Sequence, residues 1–195
     1  MHGQARVSLI FPAYNEADGI ARAVEEAIAV GVFDEVIVVD NNSTDGTGDL
    51  ARAAGARVVQ ESLQGYGRAL QRGMREATGD LLVLCEPDGT FSLADVHKLL
   101  AYAGDFEVVL GTRTNSELIW EGANMRWDNR MGNLAVAKLL EWLFNGPNLT
   151  DCGCTLRLLH RRAYERIRDH LTVGKSHFLP EVVILALMTG CSVIE

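Results

Sequence analysis

Two carboxylates stand two residues apart in "EPDGT", at Glu86 and Asp88, directly after the apolar run "LLVLC" (Leu81 to Cys85). In an extended segment side chains alternate, so positions i and i+2 project the same way. Two hard oxygen donors so placed suit Mg²⁺ or Mn²⁺, ions that take one or two carboxylates together with substrate phosphates. The same residues also make a Pro-Asp-Gly turn, in which Asp and Gly are favoured by geometry alone. A third acid, Asp40, ends the run "VIVV" (Val36 to Val39) and opens the polar stretch "NNSTDGT". An unpaired carboxylate at the end of a buried strand is costly, and a ribose hydroxyl or a nucleobase N–H would satisfy it. Ser43, Thr44 or Asp45 could instead cap a helix that starts near Gly46 and Thr47. In "GYGRA" (Gly65 to Ala69) two readings stay open. It is a helix entry loop, or Gly65 and Gly67 let backbone approach a ligand while Arg68 faces a phosphate.

These residues need a scaffold, and the chain supplies a regular one. Apolar runs recur at "VSLIF" (Val7 to Phe11), "VIVV", "RVV" (Arg57 to Val59), "LLVLC" and "VVLG" (Val108 to Gly111). Most are continuous, as expected of strands covered on both faces. Between them lie helical spacings: Ile20, Val24 and Ile28; Tyr66, Leu70 and Met74; Leu93, Val96 and Leu100. Strand alternating with helix predicts a parallel sheet with right-handed crossovers. Ligands of such sheets bind at the carboxyl ends of the strands. There this chain carries "PAYNE" (Pro12 to Glu16), Asp40 with its polar stretch, "EPDGT", and "TRT" with Arg113. No G-x-G-x-x-G opens the first helix, which argues against a dinucleotide fold.

The second half reads differently. "MRWDNRMGNLAVAKLLEWLFNG" (Met125 to Gly146) predicts a long helix, apolar nearly all round, with Lys138, Glu141 and Asn145 as a narrow polar stripe. "DCGCTLRLL" reads as a turn and a strand, "RRAYERI" and "FLPEVVILALM" as helices, and "CSVIE" as a last strand, with the domain expected to run on past Glu195. The 195 residues fit one domain with a sizeable core. A net charge of −8 argues against non-specific binding to nucleic acid. An acidic protein that handles an anionic substrate then needs a metal ion or a few well-placed arginines. Cys85, Cys152, Cys154 and Cys191 match no zinc spacing and read as free thiols in a reducing cytoplasm. No apolar run reaches the ~20 residues that span a bilayer.

In this order and spacing, "FPAYNE", "VVDNNSTDGT", "GYGRA", "EPDGT" and "GTR" resemble the inverting family 2 glycosyltransferases of the GT-A fold. "DCGCTLR" is similar to the "D-x-x-S-G-F-R" segment of their dolichyl-phosphate mannosyltransferase branch. The resemblance covers essentially the whole chain. It implies one α/β catalytic domain over residues 1–195: an open, mostly parallel, Rossmann-like sheet with helices on both faces. It implies a nucleotide-diphosphate sugar donor, GDP-mannose or a UDP-sugar, held by Pro12, Tyr14, Glu16, Asp40, Asn41, Arg68, Glu86, Asp88 and Arg113. Asp88 and Glu86 would hold Mg²⁺ or Mn²⁺, with Asp88, Asp151 and Arg113 catalytic and Asp151 and Arg157 on the acceptor side. Asn41 replaces the second acid of the family's usual pair, and E-P-D replaces D-x-D, which puts more weight on Asp88.

The implied acceptor is a polyprenyl or dolichyl phosphate. Such a phosphate is already an anionic nucleophile near neutral pH, whereas a sugar hydroxyl would need a base, for which Asp151 is the candidate. "SELIWEG", with Leu118, Ile119 and Trp120, and the long helix suggest a peripheral site at the inner face of the membrane. The helix also reads as core or as the face of a homo-oligomer. Two other functions remain in view: transfer to a sugar hydroxyl in polysaccharide synthesis, and an inactive relative that only binds nucleotide sugars.

Overall fold

A computed structural model describes residues 5–113, 127–144 and 146–195. The "SELIWEG" loop and Asn145 lie outside them. Strands β1 (Val7–Ala13), β2 (Glu35–Asp40), β3 (Arg57–Gln60), β4 (Leu81–Leu84) and β5 (Val108–Leu110) form where the continuous apolar runs predict them. Helices α1 (Ile20–Val30), α2 (Thr47–Ala53), α3 (Tyr66–Glu76) and α4 (Val96–Tyr102) connect them in turn. After β5 come α5 (Trp127–Phe144), β6 (Arg157–His160), α6 (Arg161–Ile167), α7 (Phe178–Met188) and β7 (Val193–Ile194).

The seven strands make one sheet in the order β3-β2-β1-β4-β6-β5-β7. Helices cover both of its faces, which explains the unbroken apolar runs. Along β1, Ile10 faces a core shared with α3, α5, α6 and α7. Its neighbours Leu9 and Phe11 face the other core, built with α1, α2 and α4. The expected parallel order holds for β1 to β4, with Ile10 opposite Ile37 on one side and Leu84 on the other. The exception in this mostly parallel sheet is β6, which runs antiparallel to both β4 and β5. The reason is connectivity. The chain leaves β5 at the carboxyl end of the sheet, passes through α5, and re-enters at that same end, so β6 must run back down.

Three local expectations are corrected. On α1 the buried stripe is Ile20, Ala23, Val24 and Ala27, while Ile28 is exposed. In α4 and the turn before it, Leu99 joins Leu93 and Val96 in the core, and Leu100 is only half-buried. At α2 the cap position is Gly46, in the left-handed region at φ 88°, rather than Ser43, Thr44 or Asp45. Such a φ costs glycine little and other residues more. All four cysteines are free and buried.

One carboxylate ties the amino-terminal edge of the sheet together. Glu35 accepts hydrogen bonds from Ser8 Oγ (2.5 Å), Thr78 N (2.5 Å) and Thr78 Oγ1 (2.9 Å), and pairs with Arg57 (3.1 Å). Burial works against its charge, but the Ser8 and Thr78 donors outweigh it and lower its pKa to about 2 from 4.5. The charged form is therefore favoured in the folded state. Its contribution is full above pH 4.5 and is lost as the pH falls toward 2, an effect on the order of 1–2 kcal/mol once solvent screening is counted. Glu35→Gln should lower the urea midpoint at pH 7 and make unfolding less dependent on pH between 4.5 and 2. An acid limb identical to that of the parent protein would show that Glu35 does not carry this dependence.

Candidate active site

The polar loops at the carboxyl ends of β1 and β2 are built as one unit. Asn15 adopts a left-handed φ of 55°, a conformation that asparagine tolerates better than most residues. Its N–H donates to Ser43 Oγ (3.1 Å), and its Oδ1 accepts from Thr44 N (2.9 Å). Glu16 N donates to Thr47 Oγ1 (2.8 Å), and Ala17 N donates to Asp45 Oδ2 (3.0 Å). Asp45 Oδ1 in turn accepts from the Thr47 N–H (3.0 Å) and hydroxyl (2.5 Å). Much of the polarity of "NNSTDGT" therefore joins two loops. Pro12 is buried within β1, Tyr14 is 52% exposed, and Glu16 is half-buried in the loop that leads to α1.

Asp40 and Asn41 are both buried, with different duties. Asp40 Oδ1 accepts from Ser43 N and Oδ2 from Gln60 Nε2, each at 2.9 Å. Asn41 Nδ2 donates to the carbonyls of Glu61 (2.8 Å) and Leu63 (2.9 Å), and its Oδ1 accepts from Gly65 N (2.7 Å). An aspartate here would have no donor for those two carbonyls. The asparagine thus holds the segment between β3 and α3, and its side-chain amide is committed to backbone.

At the end of β4, Asp88 is exposed and Glu86 half-buried. Asp88 Oδ1 accepts from Thr90 N (2.9 Å) and Oγ1 (2.6 Å), a turn of the kind that Pro-Asp-Gly predicts. Its Oδ2 takes no hydrogen bond among the described residues. Glu86 lies beside the Tyr66 hydroxyl, which also meets Thr155 Oγ1 at 2.7 Å. The acids of three strand ends meet at Glu16, whose pKa is raised by burial and by the charges of Asp88, Asp45 and Glu86. Like charges gathered at one mouth favour a cation. Among the described residues no three acidic, histidine or cysteine side chains close into a metal cage. The hard oxygens of exposed Asp88 and half-buried Glu86 fit an ion that completes its shell with substrate phosphates.

The end of β5 carries a different device. Arg113 Nε and Nη2 grip Asp151 at 2.9 and 3.2 Å, and the Arg113 N–H adds a third bond at 3.2 Å. Asn133 Nδ2 of α5 and Gly153 N each donate to Asp151 Oδ1 at 3.1 Å. Asp151 is fully buried, while the Arg113 side chain keeps 29% of its exposure. Burial opposes the guanidinium charge, but the Asp151 hydrogen bonds and charge win and raise the arginine's pKa. With five donors around it, Asp151 orients Arg113 and offers no free oxygen to a hydroxyl proton. An apolar cavity of about 310 Å³ between α4 and β5 reaches Arg113 and Glu195.

Arg157 is not where an acceptor contact requires it. It sits in β6 between Leu84 and Leu110, with no exposed surface. Its guanidinium donates to the carbonyls of Cys152, Cys154 and Leu179, and burial lowers its pKa. It fixes the turn that carries Asp151 and has no surface to offer an acceptor. Burial also pushes the Cys152 thiol up to about 11 and Cys154 up to about 12, so neither is a nucleophile. Arg68 stands apart from the acidic mouth and lines a separate cavity. Sequence reasoning missed Asn15, Asn133 and Glu195. The Glu195 carboxylate accepts from Thr150 N (2.6 Å), Asp151 N (2.9 Å) and the Thr150 hydroxyl. Only Asn15 carried a local signal, as an asparagine in a tight strand-end turn.

An open sheet of this order, with acids gathered at the carboxyl ends of β1, β2 and β4, defines a GT-A-type domain. The chain belongs to glycosyl transferase family 2, whose sequence profile matches residues 8–168. It is 40% identical to an uncharacterized glycosyltransferase of Mycobacterium tuberculosis over 197 residues, covering 100% of this chain and 84% of that one. It is 28% identical over 191 residues to a dolichyl-phosphate hexose transferase of Haloferax volcanii, covering 97% and 80%. It spans only 39% and 51% of two further H. volcanii glycosyltransferases that it matches. Its fold superposes with a TM-score of 0.73 on a M. tuberculosis glucosyl-3-phosphoglycerate synthase, solved with Mn²⁺, uridine diphosphate and phosphoglyceric acid. That match, at 20% identity over 97% of this chain and 67% of the other, is one of fold alone.

Arg157→Met would leave three buried carbonyls without their donor, a loss of about 3 kcal/mol or more in stability. A lowered melting temperature with nucleotide affinity within twofold is expected. The reverse pattern, full stability with lost binding, would return Arg157 to the ligand.

Proposed function

We propose that this chain transfers a sugar from a nucleotide-diphosphate sugar to a polyprenyl phosphate, with inversion, at a membrane surface. The observation that carries the acceptor half is α5. Among its described residues only Ala137 and Leu140 are fully buried, while Trp142 is 78%, Leu143 56% and Leu139 53% exposed. The same helix supplies Asn133 to the Arg113–Asp151 pair, so an apolar surface is joined directly to the cationic side of the site. Aromatic and aliphatic side chains on one helix suit the headgroup boundary of a bilayer. Among the described residues no helix is long and apolar enough to cross a membrane. The family relative named for transfer to dolichyl phosphate supports the same reading.

The chemistry follows from charge. An oxygen of the acceptor phosphate attacks the anomeric carbon from the face opposite the donor diphosphate. The bond from that carbon to the diphosphate oxygen breaks, and its electron pair stays on the diphosphate. No proton has to move, because the nucleophile is already an anion. A divalent ion held by Asp88, with Glu86, supplies charge stabilisation for the diphosphate when bound. Arg113, held in its fork by Asp151, presents its exposed edge to phosphate oxygens. Asp40 and the interlocked first two loops form the nucleotide wall, with Tyr14 free to stack on a base.

Two outcomes test this. Asp88→Asn should abolish the Mn²⁺-dependent part of donor binding in calorimetry with nucleotide sugars while the melting temperature stays within a few degrees. Unchanged Mn²⁺ titrations would reject Asp88 as the ligand. For the acceptor, Asp151→Asn should slow transfer only modestly, through a less well-oriented Arg113. A loss on the order of 10²–10⁴ in rate would mark Asp151 as a general base and the acceptor as a hydroxyl.

A further inference from the structure

Most described arginines and lysines of this acidic chain are paired with carboxylates; Arg68 and Lys175 are among the six described cations, with Arg6, Arg75, Arg157 and Arg161, that form no salt bridge. Both line one cavity of about 600 Å³, together with Gln64, Val173, Gly174 and His177. None of the acids of the mouth described above borders it.

The chain is shaped to bring these cations together. A Cβ on Gly67 would lie 2.5 Å from the Val173 carbonyl oxygen and 2.7 Å from Phe178 Cβ, and one on Gly65 would overlap the Gly174 carbonyl. A Cβ on Gly174 would press on Arg68 Nε at 2.9 Å. Only glycine permits so close an approach, so the two glycines of "GYGRA" serve the segment that carries Lys175. Hydrogen bonds then fix that segment. Arg68 N donates to Gly174 O (3.2 Å) and Gln71 Nε2 to Val173 O (3.0 Å). The Glu181 carboxylate accepts from Thr172 N (2.9 Å) and Val173 N (3.0 Å).

Arg68, Lys175 and His177 are all exposed, and no carboxylate lines the cavity beside them, so the two cations repel each other, weakly in water. A phosphate group reverses the sign. Arg68 offers a planar fork of donors, Lys175 a mobile point charge and His177 a further ring N–H. The first turn of the eleven-residue helix α3 adds its own positive end at the same place.

We propose that Arg68, Lys175 and His177 form a phosphate-binding subsite separate from the acidic mouth. The proposal rests on the functional reading above only for what carries the phosphate: the donor's diphosphate or the acceptor's monoester. The test is calorimetry on the folded chain and its Lys175→Gln, Arg68→Gln and double variants. Three probes are used: inorganic phosphate, a nucleoside diphosphate and a water-soluble short-chain isoprenyl phosphate. The double variant should bind inorganic phosphate about tenfold more weakly or worse, and Lys175→Arg should retain binding. Weakening toward the isoprenyl phosphate assigns the subsite to the acceptor; weakening toward the nucleoside diphosphate assigns it to the donor. Affinities for all three probes unchanged in the double variant would overturn the subsite. Binding of inorganic phosphate through these residues, with neither organic phosphate bound by the parent chain, would keep the subsite and reject the functional reading.

Discussion

The constraint on which the architecture turns is repulsion among carboxylates at one end of the sheet. Glu16, Asp45, Glu86 and Asp88 come from three strand ends, and the last three all raise the pKa of the first. Like charges gathered at one mouth repel. Loops free to move would part. Here they are tied. Asn15, Ser43, Thr44, Asp45 and Thr47 exchange hydrogen bonds between the first two loops, and Thr90 holds one oxygen of Asp88. The parallel strands β2, β1 and β4 underneath fix how close those loops come, through the register Ala13 to Asp40 and Ile10 to Leu84.

This explains why polarity at a strand end is a mixed signal. In "DNNSTDGT" the residues are too many and too hydrogen-bonding to be a helix cap alone, yet most of their bonds are internal. Asn41 is the clearest case. Matched by resemblance to a nucleotide contact, it also holds the backbone of Glu61, Leu63 and Gly65, and it needs both a donor and an acceptor to do so. Asp88 differs in having an oxygen with no partner among the described residues. The distinction between a polar group that builds a site and one that serves it lies in what its second hydrogen-bonding atom does, and a sequence does not show that.

Where the sequence was legible, a local rule decided the outcome. Strands covered on both faces read as unbroken apolar runs, so β1, β2, β4 and β5 could be placed within a residue or two. The acidic strand ends followed from those boundaries. Where it was not, the deciding contact was distant in the chain. Nothing within "DCGCTLR" tells that β6 runs antiparallel, or that its arginine faces three carbonyls in the core, because the direction is set by where α5 returns the chain. Ile28 keeps a helical spacing with Ile20 and Val24, but Ala27 takes the inward position and leaves Ile28 in solvent. Glu195 reaches Thr150 and Asp151 across 45 and 44 residues.

The two arginines near the end of β5 show how one charge is made usable and another is withdrawn. Arg157 has no exposed surface and meets only carbonyl oxygens, so its positive charge is neutralised by dipoles and is absent from the surface. Arg113 meets a fully buried carboxylate but keeps part of its guanidinium open. A lone exposed arginine would sample many rotamers, whereas this one is held in a single fork by Asp151, and Asp151 in turn by Asn133, Gly153 and Glu195. The cost of burying Asp151 is offset by its five donors. Under the proposed function that arrangement is consistent with an acceptor that arrives already charged. The carboxylate nearest the acceptor side is committed to orienting a cation, and a nucleophile that is itself a phosphate asks the protein for positive charge and for no base.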